Sequence, residues 1–84
     1  MTDTSELLRR ITIDPRIFGG KPINRGRRLA VEHVLGMLAA GSSAEEILAG
    51  YSWLEPDDIR ACLAYAERIV ARERVEEVIA RQAS

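Results

Sequence analysis

Aromatic side chains are scarce in this 84-residue chain: Phe18, Tyr51, Trp53 and Tyr65 make up 5% of it. A core this poor in rings must be aliphatic. In a domain near the lower size limit for an independent core, such packing often draws its remaining stability from a second subunit. The single cysteine, Cys62, excludes an internal disulfide. No apolar run approaches the roughly 18 residues of a membrane-spanning helix. The opening M-T-D-T-S-E has neither the basic flank nor the apolar segment of a secretion signal, so a cytoplasmic protein is expected. The one histidine, His33, has no Cys or His nearby to complete a metal site and reads as an exposed side chain. No nucleophile is paired with a base. No catalytic residue, cofactor, metal or small-molecule substrate is therefore expected.

Charge is abundant but divided. Residues 1–28 carry seven basic and three acidic side chains, a balance of +4, whereas residues 29–84 carry five basic and ten acidic ones, a balance of −5. Such asymmetry suits a basic face for a polyanion and an acidic part that meets something else. The simpler account is solvated charge that happens to segregate.

The stretch from Ile11 to Leu29, I-T-I-D-P-R-I-F-G-G-K-P-I-N-R-G-R-R-L, holds two of the three prolines, three of the six glycines and five of the twelve basic residues. Ahead of it, residues 1–5 are polar and expected to fray, and Glu6 to Arg10 reads either as a helical turn or as the approach to a strand. Ile11-Thr12-Ile13 has the β-branched period-two mark of a short strand, closed by Asp14-Pro15. Gly19-Gly20 predicts a tight turn. Ile23, with Leu29 as a further candidate, offers a second strand with a bend at Gly26. Two strands this short need helices, or a second copy, to lean on.

From Ala30 the period becomes helical. Val31, Val34, Leu35 and Leu38 form one apolar stripe, and Gly41 is a C-terminal stop. Ser43 and Glu46 have the spacing of a capping box for a short helix with Ile47, Leu48 and Tyr51 on its buried side, ended by Gly50. Pro56 suits the first position of a third helix, with Asp57 and Asp58 where the helix dipole favours negative charge. Leu54 and Ile59 have the spacing of a hydrophobic staple. The chain therefore reads as a three-helix bundle behind a short β element.

On the third helix, Ile59, Cys62, Leu63, Ala66, Ile69 and Val70 cluster within roughly 120° and are expected to continue the core. Cys62 reads as a small buried hydrophobe, and Trp53 as a core plug before the helix. Val75, Val78 and Ile79 then point roughly 160° away from that stripe. One unbroken helix cannot bury both groups in one small core. Either it breaks near Arg72, or its tail carries an apolar strip for another molecule; with no glycine or proline there, the second is expected.

A short second helix before a third suggests a helix-turn-helix, whose third helix enters the major groove by its N-terminal residues. Here those residues are Glu55, Asp57 and Asp58, and carboxylates repel phosphates, so that docking is disfavoured. The candidate DNA-binding residues are instead Lys21, Arg25, Arg27 and Arg28, an arginine cluster around a glycine. The competing account pairs these cations with the chain's own acidic helices or with a partner's carboxylates. F-G-G-K-P lacks the G-x-x-x-x-G-K-[S/T] spacing of a phosphate loop, and no helix follows to supply its N-terminus.

The Ile11–Leu29 stretch, followed by V-L-G-M-L-A-A-G-S-S-A-E-E-I-L-A-G-Y and L-E-P-D-D-I-R-A-C-L-A-Y-A, resembles the domain-of-unknown-function 433 family over about residues 10–70. The combination of D-P-x-x-x-G-G-K-P-x-I with A-G-x-S-x-E-E-I-L is the specific part. The resemblance implies a mainly α, homeodomain-like fold with a small N-terminal β element, usually dimeric. It also implies the antitoxin role of a type II toxin–antitoxin pair, beside a PIN-like ribonuclease toxin. Two positions depart from the family. Gly26-Arg27-Arg28-Leu29 stands where G-T-R-[I/V] is common, and Glu55 stands where Thr or Ser often precedes the proline, a weaker cap. The resemblance does not extend past Val70.

These readings divide the chain into an N-terminal lead-in (residues 1–10), an antitoxin-like helical domain (11–70) and a C-terminal helical tail (71–84). The expected function is an antitoxin-like, homodimeric binding protein that holds a PIN-like toxin and represses its own promoter. Lys21, Arg25, Arg27 and Arg28 would contact DNA, and Val75, Val78 and Ile79 the protein partner. The alternatives are a stand-alone DNA-binding regulator and a structural subunit that binds no DNA.

Overall fold

A computed structural model describes residues 3–83, with side chains described as far as Arg72. The architecture is mainly helical, with a two-stranded antiparallel sheet near the N-terminus. In chain order the elements are α1 (Thr4–Leu8), β1 (Ile11–Thr12), β2 (Ile23–Asn24), α2 (Val31–Ala39), α3 (Ala44–Gly50) and α4 (Pro56–Ala83). No helix among the described residues is long and apolar enough to cross a membrane.

The lead-in takes the helical option. α1 begins at Thr4, inside the segment expected to fray, because Leu7 buries its side chain while α1 packs on α4. β1 and β2 pair with Ile11 opposite Asn24 and Thr12 opposite Ile23. The second strand is shorter than a run from Ile23 to Leu29 would be, because the chain reverses between them. The Arg27 amide donates to the Asn24 carbonyl at 2.8 Å, and both central residues of that turn, Arg25 (φ 44°) and Gly26 (φ 70°), are left-handed. Two left-handed residues in succession mark the turn type whose twist suits a tight hairpin. Leu29 and Ala30 then come back antiparallel to β2, with the Asn24 amide bonded to the Leu29 carbonyl at 3.1 Å.

Local capping follows the sequence closely. Ser43 Oγ accepts from the Glu46 amide at 3.1 Å, and Glu46 Oε1 accepts from the Ser43 amide at 2.7 Å. That capping box holds the Glu46 carboxyl below its usual range. Gly41 closes α2 with φ 103°, a backbone state that costs other residues strain. At the start of α2, Ala30 has no side chain to cap with. His33, exposed as expected, compensates in part, its Nδ1 accepting from the Ala30 amide at 3.4 Å.

The core joins Leu29, Val31 and Val34 to Ile47 of α3 and to Leu54, Ile59 and Cys62 at the start of α4. The staple pair Leu54 and Ile59 is buried, each such side chain contributing roughly 1.5–3 kcal/mol of burial free energy. Beyond Cys62 the expected core stripe fails. Leu63, Ile69 and Val70 are 48, 37 and 55% exposed, and Ala66 is half-buried. The reason is length. α2 has nine residues and α3 seven, enough to cover only the opening turns of a 28-residue α4. α4 is one helix through Ala83, without the break considered near Arg72.

Candidate functional site

The basic turn sits directly over the start of α4, and a buried carboxylate organises it. Asp58, in the first turn of α4, is fully buried. Arg25 grips it with two parallel bonds, Nε to Oδ1 at 2.9 Å and an η-nitrogen to Oδ2 at 2.8 Å. The same η-nitrogen also donates to the Trp53 carbonyl at 2.8 Å. Arg10 Nη1 reaches Asp58 Oδ1 at 3.1 Å and Glu55 Oε1 at 2.7 Å. The Glu55 amide donates to Asp58 Oδ2 at 2.9 Å. That last bond is one half of a capping box, the N3 side chain accepting from the cap residue's own amide. The other half, a cap side chain accepting from an amide inside the first turn, is what Ser or Thr in place of Glu55 would supply.

Behind the ion pairs lies a neutral layer. Asn24, also fully buried, donates from Nδ2 to the Asp58 carbonyl at 3.3 Å and accepts from Cys62 Sγ at 3.3 Å. Among the described residues no buried side-chain nitrogen or oxygen lacks a partner. A satisfied network of this kind costs little to bury, whereas losing one member strands the others. Burial by itself would raise the Asp58 carboxyl. The bonds from Arg25, the Glu55 amide and Arg10 outweigh it and hold Asp58 below the usual aspartate range. The same contacts push Arg25 and Arg10 upward. Cys62 behaves as the buried small side chain expected of it, with burial raising its thiol to about 11, so it stays protonated and unreactive.

The four candidate cations have different fates. Arg25 is committed to Asp58, and its left-handed backbone, an arrangement worth roughly 1–3 kcal/mol of strain in a non-glycine residue, is held by that grip. Lys21 pairs with Glu32 at 2.6 Å on the surface, both side chains more than half exposed, and holds that carboxyl below its usual range. Such a pair is screened and easily exchanged for another anion. Arg27 is exposed and lies over the face of Trp53, 5.0 Å from the ring centre, with Arg25 at 5.6 Å. Arg28 is exposed and has no ion pair among the described residues; its charge helps lower Asp14, whose main partner is Arg16. The internal pairing weighed against DNA contact thus describes Arg25 fully and Lys21 loosely. Arg27 and Arg28 present their charge outward.

Trp53 packs part of its ring against the core, as a plug would, and uses the remainder as a platform for two guanidinium groups. Sequence reasoning passed over Arg10 and Asn24 and gave Asp58 only a role at the helix start. Their partners lie 34 to 48 residues away, beyond any local pattern. The one available signal was Asp58 itself, three residues after Glu55, where a side chain can reach back to the cap amide. Val75, Val78 and Ile79 have side chains outside the described residues.

Comparison with known proteins places the chain. The profile of the family described as Protein of unknown function (DUF433) matches residues 11–66. The uncharacterized protein y4eO of Sinorhizobium fredii is 39% identical over 64 residues, covering 76% of this chain and 29% of that protein. The chain therefore spans less than a third of the length of that relative. No solved structure matches. With the D-P-x-x-x-G-G-K-P-x-I and A-G-x-S-x-E-E-I-L segments both inside the matched region, this chain belongs to the DUF433 family.

Proposed function

We propose that this chain is a non-catalytic, antitoxin-like binding protein of the cytoplasm, built to hold a protein partner with the far part of α4 and a polyanion with the basic turn. One observation carries the reading. α4 continues to Ala83, yet the last buried side chain on it, among the described residues, is Cys62. From residue 63 onward the helix is about 30 Å long at 1.5 Å per residue. Over its described part, residues 63–72, the helix buries no side chain, and such a helix is stabilised more readily by a second molecule than by intrinsic propensity. Val75, Val78 and Ile79 supply apolar side chains along it, and a PIN-like ribonuclease is the partner that the family resemblance suggests. A homeodomain-like arrangement of α2, α3 and α4 fits the same reading, with DNA contact shifted from the acidic start of α4 to Arg27 and Arg28, and to Lys21 once it leaves Glu32.

Co-expression of the full chain with a PIN-like nuclease encoded beside it tests the protein arm. The complex is expected to co-purify and to be lost when residues 71–84 are removed. A full-length chain that never associates with such a neighbour overturns it. The DNA arm is separable. Arg27→Ala with Arg28→Ala should weaken binding to promoter DNA and flatten its salt dependence by about two phosphate contacts.

The stand-alone regulator and the structural subunit remain distinct outcomes. DNA binding without a nuclease partner selects the first. Failure to be retained on heparin at low salt selects the second, which the internal pairing of Arg25 favours.

A further inference from the structure

Arg27 leaves the tight turn with its guanidinium over the indole of Trp53, 5.0 Å from the ring centre. That indole is itself held in place. It packs against the core, and Tyr51 meets it edge-on with 6.3 Å between ring centres. Arg25 ties the same segment to the turn, donating to the Trp53 carbonyl at 2.8 Å while it grips Asp58. The four candidate cations now separate. Among the described residues, Arg25 has the ring and a carboxylate, Lys21 a carboxylate alone, and Arg28 neither. Only Arg27 of the four combines an aromatic support with an unpaired charge. We infer that Trp53 is a positioning residue for polyanion contact, holding Arg27 with its N–H edge free for a backbone phosphate of nucleic acid.

A guanidinium resting on an aromatic face spends its flat surface there and keeps its edge of N–H donors, the edge that pairs two-pronged with phosphate. Ring and phosphate therefore do not compete for Arg27. Nor does the ring cancel the charge, as Glu32 does for Lys21. An unsupported arginine surrenders rotamer freedom when it binds, and a support already in place removes part of that cost. Two guanidinium groups on one ring would repel, but Asp58 offsets the charge of Arg25 and leaves Arg27 as the outward one. The indole need not touch the polyanion for any of this. The assignment rests on the reading of the basic turn as a polyanion surface and is independent of the nuclease reading.

Fluorescence anisotropy of a labelled DNA duplex of mixed sequence, titrated at low salt with the full chain, tests it. Trp53→Leu should bind about fivefold more weakly, the cost of ordering one long side chain on binding. Its salt dependence should keep the wild-type slope, because the phosphate contact is still made. Arg27→Ala should lose that contact and reduce the slope by about 0.9. In the Arg27→Ala background, Trp53→Leu should cost nothing further. Trp53→Phe keeps a smaller face and the packing, and should weaken binding only about twofold, again only while Arg27 is present. That pair of variants carries the test should the leucine variant fail to fold by circular dichroism. A wild type that binds no DNA at low salt removes the polyanion reading and this assignment together. Binding that is indifferent to Trp53→Leu and Trp53→Phe overturns the assignment alone. So does a loss that persists without Arg27, since the ring would then act on the turn as a whole. Trp53 is the only tryptophan, so its emission reports on this one ring. Strong quenching by the duplex would mark a base stacked on the indole and would also overturn it, because Trp53 would then be a contact.

Discussion

The two parts of α4 obey different rules. Its first turns are anchored from every direction: Arg10 and Arg25 on Asp58, Asn24 on the backbone carbonyl and on Cys62, Leu54 and Ile59 stapled into the core. From Leu63 to Arg72 the same helix has no buried side chain. Hydrogen bonding along the backbone is alike in both parts. What separates them is whether other elements are long enough to reach. A helix therefore does not inherit stability evenly along its length. It is strong where tertiary groups converge, and elsewhere it offers a surface.

The sharpest way to break this contrast is at Asp58. Asp58→Ala leaves Arg25 without its anion, beside an Arg10 that keeps only Glu55, and strips the Glu55 amide of its side-chain acceptor. A loss of about 3 kcal/mol is expected in urea unfolding, a large share of a small domain's total. A loss under about 1 kcal/mol would show that the anchored half is not the clamp described. Acid tests the same group without mutation. The folded Asp58 carboxyl lies below its unfolded value, so its contribution is complete above the usual aspartate range and disappears as pH falls through the folded value. Acid unfolding of the wild type should be steeper than that of Asp58→Asn, which has no such proton to take up.

Arg25→Ala should cost less, about 2 kcal/mol, because relief of the left-handed backbone offsets part of the lost grip. Arg25→Lys should recover little of it, since an ammonium cannot make the two-pronged contact. Arg27→Ala, which removes only an exposed stack on Trp53, should change stability by at most about 1 kcal/mol. Equal effects at Arg25 and Arg27 would erase the distinction between an anchoring and an outward-facing cation. Smallest of all should be removal of residues 71–84, within about 0.5 kcal/mol for the isolated chain. Cys62 offers a probe of the anchored part: its thiol should react with a disulfide reagent only on the timescale of unfolding.

Local chemistry made much of this fold legible. The capping box at Ser43 and Glu46, the stop at Gly41, the proline start of α4 and the staple of Leu54 with Ile59 are all contacts within six residues, and each appears where spacing placed it. The strand at Ile11 and the helical stripe of α2 are periodicities, equally local. The extent of the core was not legible. Leu63, Ile69 and Val70 have the periodicity of buried residues, and periodicity records only that a face is apolar. Whether another element covers that face depends on the lengths of α2 and α3 and on how they cross α4.

The basic turn makes the same point from charge. Composition counts Lys21, Arg25, Arg27 and Arg28 as four equal cations, but the fold spends one of them on its own carboxylate. That outcome rests on Asp58 arriving beneath the turn from 33 residues further along the chain. By itself the sequence determined the strand at Ile11, the three longer helices, the capping box of α3 and the uneven distribution of charge, because those depend on neighbours a few residues apart. Only the tertiary structure decided which apolar face is covered and which arginine is enclosed, because covering and enclosing require groups that become neighbours in space and never were along the chain.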